Sequence, residues 1–79
     1  MKINEAVAKR VEQLLEKQSR TQYAVAKEGG ISNSTFCTTL SGRCRSRVDT
    51  VLNICRGFNI TLEEFFNSEL FSKDNLSDD

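Results

Sequence analysis

Apolar residues recur at three- and four-residue steps at the start of the chain: Ile3, Val7, Val11, Leu14 and Leu15, with Lys9, Glu12, Glu16 and Lys17 between them. This period predicts an amphipathic helix from about Asn4 to Gln18. A second periodic run, Val48, Val51, Leu52, Cys55 and Phe58 with Ile54 adjacent, predicts the buried side of a helix from about Arg47 to Phe58. Ser46 and Asp49 precede it in the S-x-x-D form of a capping box, and Asn59 suits the left-handed position after it. The clearest helix start is Ile60-Thr61-Leu62-Glu63-Glu64-Phe65. Thr61 and Glu64 stand as a capping box, and Ile60 and Phe65 occupy the two hydrophobic-staple positions. The helix so begun is expected to end near Asn67 or to continue through Phe71.

The pattern changes between the first two of these helices. TQYAVAKEGGISNSTFCTTLSG, Thr21 to Gly42, reads as two short helices joined by a tight turn. Thr21 caps the first, Gln22 to Glu28, whose apolar residues are Val25 and Ala26; Ala26 is small enough for a second helix to come close. Gly29-Gly30 stops it, because glycine adopts the left-handed conformation without a Cβ penalty. Ile31 plugs the turn, and Ser32 caps the next helix, Asn33 to about Ser41, which Gly42 ends. That helix carries a narrow apolar stripe, Phe36 and Leu40 with Cys37 beside them, and otherwise only Asn, Ser and Thr.

At roughly 100° per residue, Ser34 and Thr38 point nearly opposite Phe36 and Leu40, with Ser41 beside them and Thr35 at the flank. Asn33 lies toward the buried side by angle but sits at the helix start, from which a side chain reaches past the end. Asn pairs bidentately with adenine, while Ser and Thr serve several base edges and a Thr methyl can touch that of thymine. Capping and space-filling is the competing role, with most weight for Ser32 and Thr35 in the first turn. Gln22, at a helix N-terminus, is either a phosphate donor or an ordinary exposed residue. The loop Arg43-Cys44-Arg45-Ser46-Arg47 holds three arginines in five residues and no acid, which favours phosphate contact over mere solvation.

Composition narrows the picture. The chain has 79 residues and no proline, which bounds it to one small, all-α domain. No apolar run approaches a membrane span and no signal peptide is visible. Three cysteines, Cys37, Cys44 and Cys55, at unrelated spacings and with no histidine, argue against a disulfide framework or a metal site and point to a reducing cytoplasm. Cys55 reads as a small core hydrophobe. Net charge is zero, but residues 1–56 hold ten basic and five acidic side chains and residues 57–79 one basic and six acidic. The chain is thus a basic body with an acidic end; residues 1–71 read as the domain, and the polar, acidic tail, residues 72–79, is expected to be disordered.

Gln22-x-x-x-Ala26-x-x-x-Gly30-Ile31 followed by Phe36 resembles the core of the helix-turn-helix, and RVDTVLNICRGFNITLEEFF, Arg47 to Phe66, is similar to the fourth and fifth helices of the phage-repressor and Cro-like (XRE-like) family. The likeness covers about Asn4 to Phe66. It implies a five-helix, lambda-repressor-like DNA-binding domain, its third helix in the major groove, bound as a homodimer to a two-fold operator. Carried over by position, base contacts fall on Asn33, Ser34 and Thr38, and phosphate contacts on Gln22, Thr35, Arg43, Arg45 and Arg47. The sequence departs from the family at Thr39, where an aliphatic residue is usual, at Leu40, often polar, and at Ser46, where proline is frequent. Phe66, Leu70 and Phe71 are the candidate dimer surface, since a domain this small struggles to bury them.

These readings give a transcription regulator, a repressor acting on double-stranded DNA by occluding a promoter. The alternative is a helical protein-interaction module, an adaptor or antirepressor, that keeps the fold without DNA binding; the zero net charge favours it. An enzyme is not expected, for the chain offers no histidine, glycine-rich phosphate loop or nucleophile–base pair. No cofactor, metal, membrane or small-molecule ligand is expected either.

Overall fold

The computed structural model describes residues 1–77. Five α-helices follow in order: α1 (Ile3–Gln18), α2 (Gln22–Gly29), α3 (Asn33–Ser41), α4 (Val48–Phe58) and α5 (Leu62–Phe66), and a 3-10 turn at Glu69–Phe71 comes after them. Among the described residues there is no strand.

The helix starts are capped by the hydroxyls the sequence offers. Thr21 accepts from the Ala24 amide and Ser32 from the Thr35 amide, each at 3.1 Å. Thr61 and Glu64 close their capping box in both directions, at 3.0 and 3.2 Å. Gly30 and Gly42 end α2 and α3 with φ of 73° and 69°, and Asn59 ends α4 at 61°. At the α2 end the Ile31 and Gly30 amides donate back to Ala26 and Lys27, so the turn is closed by backbone bonds and Ile31 packs on the core.

Val7, Val11 and Leu14 of α1, Val25 and Ala26 of α2, Phe36 of α3, Val51, Ile54, Cys55 and Phe58 of α4 and Phe65 of α5 form one core. α2 and α4 cross with almost nothing between their backbones. A Cβ on Gly57 would lie 2.3 Å from the Val25 carbonyl oxygen, and one on Gly29 would lie 2.2 Å from that of Asn53. Gly57, which costs propensity inside a helix, is what lets the crossing close.

α1 also serves the ends of other helices. Carbonyls of a last helical turn lack partners within their own helix. The Asn4 amide donates to Gly42 at the end of α3, and Gln18 donates to Phe58 at the end of α4 at 3.0 Å. Arg10 donates to Phe65 and Glu64 in the last turn of α5, at 2.7 and 2.8 Å. Arg20, just beyond α1, donates to Gly57 and pairs with Glu28 at 3.0 Å. The positive groups also suit the negative end of a helix dipole.

Several expectations are corrected. The N-cap of α4 is Arg47, whose side chain makes no capping bond; Ser46 turns inward and donates to Thr39 Oγ1 at 3.5 Å, and Asp49 pairs with Arg47 at 3.2 Å instead. Val48, placed on the buried side of α4 by its spacing, is the first residue of that helix and is 76% exposed. On α3 the companion of Phe36 in the core is Thr39, while Leu40 is half-buried and Cys37 exposed. Thr39 tolerates burial because its hydroxyl donates to the Thr35 carbonyl at 3.2 Å. α5 ends at Phe66 with Asn67 as its C-cap, as expected, and does not run on through Phe71; the chain resumes there as the 3-10 turn.

The tail departs from the disorder expected of its composition. Asn75 donates to the Glu69 carbonyl at 2.6 Å, Met1 donates its amine to the Asn75 carbonyl at 2.7 Å, and the Ser77 amide donates to the Met1 carbonyl at 2.8 Å. Leu76 is half-buried between these bonds. Asp78 and Asp79 lie outside the described residues.

Candidate nucleic-acid interface

α3 lies across the surface with only one stripe committed to the core. Asn33, Ser34, Thr35 and Thr38 are all exposed, as are Arg43, Arg45 and Arg47. Ser34, Thr35 and Thr38 form one wall of an open groove of about 240 Å³, and Arg45 and Arg47 in the loop and Thr50 in the first turn of α4 form the other. Cys44 and Thr39 complete it. The fold therefore joins the hydroxyl face of α3 to two of the three loop arginines. Arg43 is not among them; it opens onto the α1 side, next to Glu5, Lys9 and Glu12.

The hydrogen bonds made within α3 determine what its outer face offers. Thr38 donates its hydroxyl to the Ser34 carbonyl at 3.0 Å, so a lone pair and the methyl face outward. Such a group accepts from a base amine or packs on a thymine methyl. Thr35 is engaged with Ser32, whose hydroxyl donates to it at 2.8 Å, so its role at the helix start is capping support as well as surface. Ser41 donates back to the Thr38 carbonyl at 2.6 Å and takes the Arg43 amide at 3.2 Å, tying the helix end to the arginine loop.

Asn33 and Gln22 meet across the helix turn. Gln22 Nε2 donates to Asn33 Oδ1 at 3.2 Å and also reaches the Cys37 thiol sulfur. Asn33 keeps its own NH₂ and a second lone pair, the two groups that match adenine N7 and N6. Gln22 is half-buried, held between α2 and α3, and its first task in the structure is to orient Asn33.

Three further residues border this surface that reading the sequence did not single out. Thr50 enters the groove from α4, and Tyr23 and Lys27 of α2 flank Asn33 on the other side, around a shallow depression that Ile31 and Ala26 floor. Tyr23 is largely exposed. Cations thus stand on both flanks of α3. The acidic side chains Glu63, Glu64 and Glu69 belong to α5 and the 3-10 turn, which pack against α4 and α1.

Of the expected dimer residues, Phe66 is 41% exposed, whereas Leu70 and Phe71 are half-buried. Phe71 packs on the core and against Phe65 and Phe66, with ring centroids 6.0 and 4.8 Å away. Among the described residues no cluster of side chains is suited to a metal ion, and no helix is long and apolar enough to cross a membrane.

No protein-family model matches the sequence, and no curated protein matches it either. Among solved structures, the chain is similar to prophage Lp1 protein 11, with a TM-score of 0.79 at 27% sequence identity, covering 92% of this chain and 99% of that one.

Proposed function

We propose that this protein is a sequence-specific DNA-binding regulator of the phage-repressor and Cro-like type, acting in the cytoplasm by covering a promoter. The observation that supports the reading is the shared groove, which Ser34 and Thr38 of α3 line together with Arg45 and Arg47 of the loop. α3 enters the major groove; Asn33, Ser34 and Thr38 face base edges, while Arg45 and Arg47 take phosphates on the loop side and Lys27 stands on the other flank. Gln22 holds Asn33 in register, Thr35 stiffens the helix start, and Arg43 reaches the backbone further along. The structural likeness to a prophage protein agrees with a phage or prophage origin. The zero net charge does not oppose it, because six of the eleven acids lie in residues 57–79, whereas three arginines and no acid stand in the loop that follows α3.

Selection of bound duplexes from a random pool, followed by salt titration on the selected site, tests the reading. A site with two-fold symmetry and half-sites about 34 Å apart is expected. Arg45→Ala and Arg47→Ala are each expected to lower the salt slope by about one and to weaken all sequences alike. Asn33→Ala is expected to relax preference at one base pair, at a cost of about 1–3 kcal/mol. If no sequence is enriched, or if both kinds of variant act equally on selected and random DNA, the assignment fails. A protein-interaction module of the same fold predicts that first outcome.

A further inference from the structure

Three helices leave apolar side chains around one hollow. Ile3 at the start of α1 is 45% exposed, Val48 at the start of α4 76% and Phe66 at the end of α5 41%. They border a groove of about 340 Å³, whose walls are completed by the buried Val7 and Val51 and the half-buried Leu62. The polar part of the lining is small. Asn4 of α1 already gives its amide to the Gly42 carbonyl, and the loop before α4 supplies the rest, Arg45 and Ser46. Among the described residues no Asp or Glu lines the groove, so the Arg45 guanidinium is its one formal charge.

From this lining we infer that the groove is a binding site for a small apolar acid, a molecule with one carboxylate on a short aliphatic or aromatic body. Ligand sites are clefts of about 300–1,000 Å³ with mainly apolar walls and a small number of polar groups that orient the ligand. The groove has that make-up and stands near the lower end of that range. A water molecule takes about 30 Å³ of the liquid, which gives room for about ten non-hydrogen atoms, the size of octanoate. The body of such an acid covers the exposed faces of Ile3, Val48 and Phe66 and takes that surface out of water. Its carboxylate meets Arg45, whose planar guanidinium presents paired N–H donors to the two oxygens. A neutral molecule leaves that cation unanswered, and a cationic one is repelled by it.

The site also bears on the DNA-facing surface, and this regulatory role rests on the proposed function. Arg45 and Ser46 line both this groove and the one along α3. A carboxylate on Arg45 competes with the DNA phosphate that the same guanidinium takes. Bound acid therefore weakens the duplex complex and removes about one unit of its salt slope. Binding linkage is reciprocal, so the duplex lowers the affinity for the acid by the same factor.

Octanoate and octanol, titrated separately into isotope-labelled protein without DNA, test the site. Octanoate is expected to shift the amides of Val7, Val51 and Leu62 and to saturate with a Kd below about 5 mM. Arg45→Met, an exposed change checked for folding by circular dichroism, is expected to weaken octanoate about fivefold and to leave octanol unaffected. Val48→Asp, which sets an acid at the rim, is expected to weaken octanoate more than octanol. Shifts that do not saturate, shifts spread over other faces, or an Arg45→Met protein that takes octanoate as the parent does would each overturn the site. Shifts of these amides that follow protein concentration alone would give the groove to another copy of the chain and overturn it too. For the regulatory role, octanoate is expected to weaken binding of the selected duplex at least about fivefold in the parent but not in Arg45→Met; equal weakening in both would overturn the coupling. A chain that takes octanoate but enriches no duplex loses the DNA reading and keeps this site, whereas one that enriches a duplex and never takes octanoate loses the site alone.

Discussion

Burial pushes the Cys55 thiol up from 9.0 to about 11, with Arg10 nearby pulling it down and Glu64 adding to the rise. Its thiolate would have to form in a site with no solvent contact. The raised value stabilises the fold fully below pH 9, where the thiol is neutral in both states. That contribution is lost as pH rises from about 9 through about 11, since the unfolded chain then ionises first. A loss of roughly 3 kcal/mol is expected across that window, and urea denaturation at pH 8 and pH 11 measures it; Cys55→Ala should lack that part of the fall. Cys37 and Cys44 are exposed. A thiol reagent at pH 8 is therefore expected to modify these two on the native protein and Cys55 only in denaturant, as peptide mass spectrometry would report. Thr39 makes a related point. Its place beside Phe36 was open to an aliphatic residue, and a hydroxyl survives there because the helix supplies its own acceptor four residues back.

Among the elements, the caps and stops were legible because each is a local transaction between a side chain and the nearest backbone. Thr21, Ser32, Thr61 with Glu64, Gly30, Gly42 and Asn59 all act within four residues of their own position. Ser46 was misread for the same reason: the S-x-x-D spacing fits a cap, but Thr39, seven residues away, lies within its reach. Gly57 was visible only as a weak point in α4, and its use depends on α2 arriving against it. Gly57→Ala is expected to cost about 2–3 kcal/mol or more, because the added carbon would meet the Val25 carbonyl and backbone cannot step aside. Thermal melting followed by circular dichroism would show it, and an unchanged midpoint would mean that the two helices do not cross so closely. The bonds from Asn4, Arg10 and Gln18 to the ends of α3, α5 and α4 had no sequence signal at all, since their partners lie 38 to 55 residues away.

At the scale of the molecule, the tail is where composition misled. Polar, acidic residues cannot build a core, but they can still bond to backbone that happens to be near, and the first residue of the chain is near. Truncation after Phe71 is expected to lower stability by about 1–2 kcal/mol through the loss of Leu76 packing and of the bonds to Met1 and Glu69. Denaturant titration checks this, and slowed exchange of the Ser77 amide in the intact chain is its counterpart.

The spacing of apolar residues and the chemistry of caps already determined five helices, their order and the bare hydroxyl face of α3, because periodicity and capping are properties of neighbours along the chain. Which arginines meet that face, which side of it Tyr23 and Lys27 border, and that Ile3, Val48 and Phe66 come together on a second face were decided only by tertiary packing. Those relations depend on how helices cross, and a crossing is set by close approaches such as Gly57 on Val25, between residues that one-dimensional order keeps far apart.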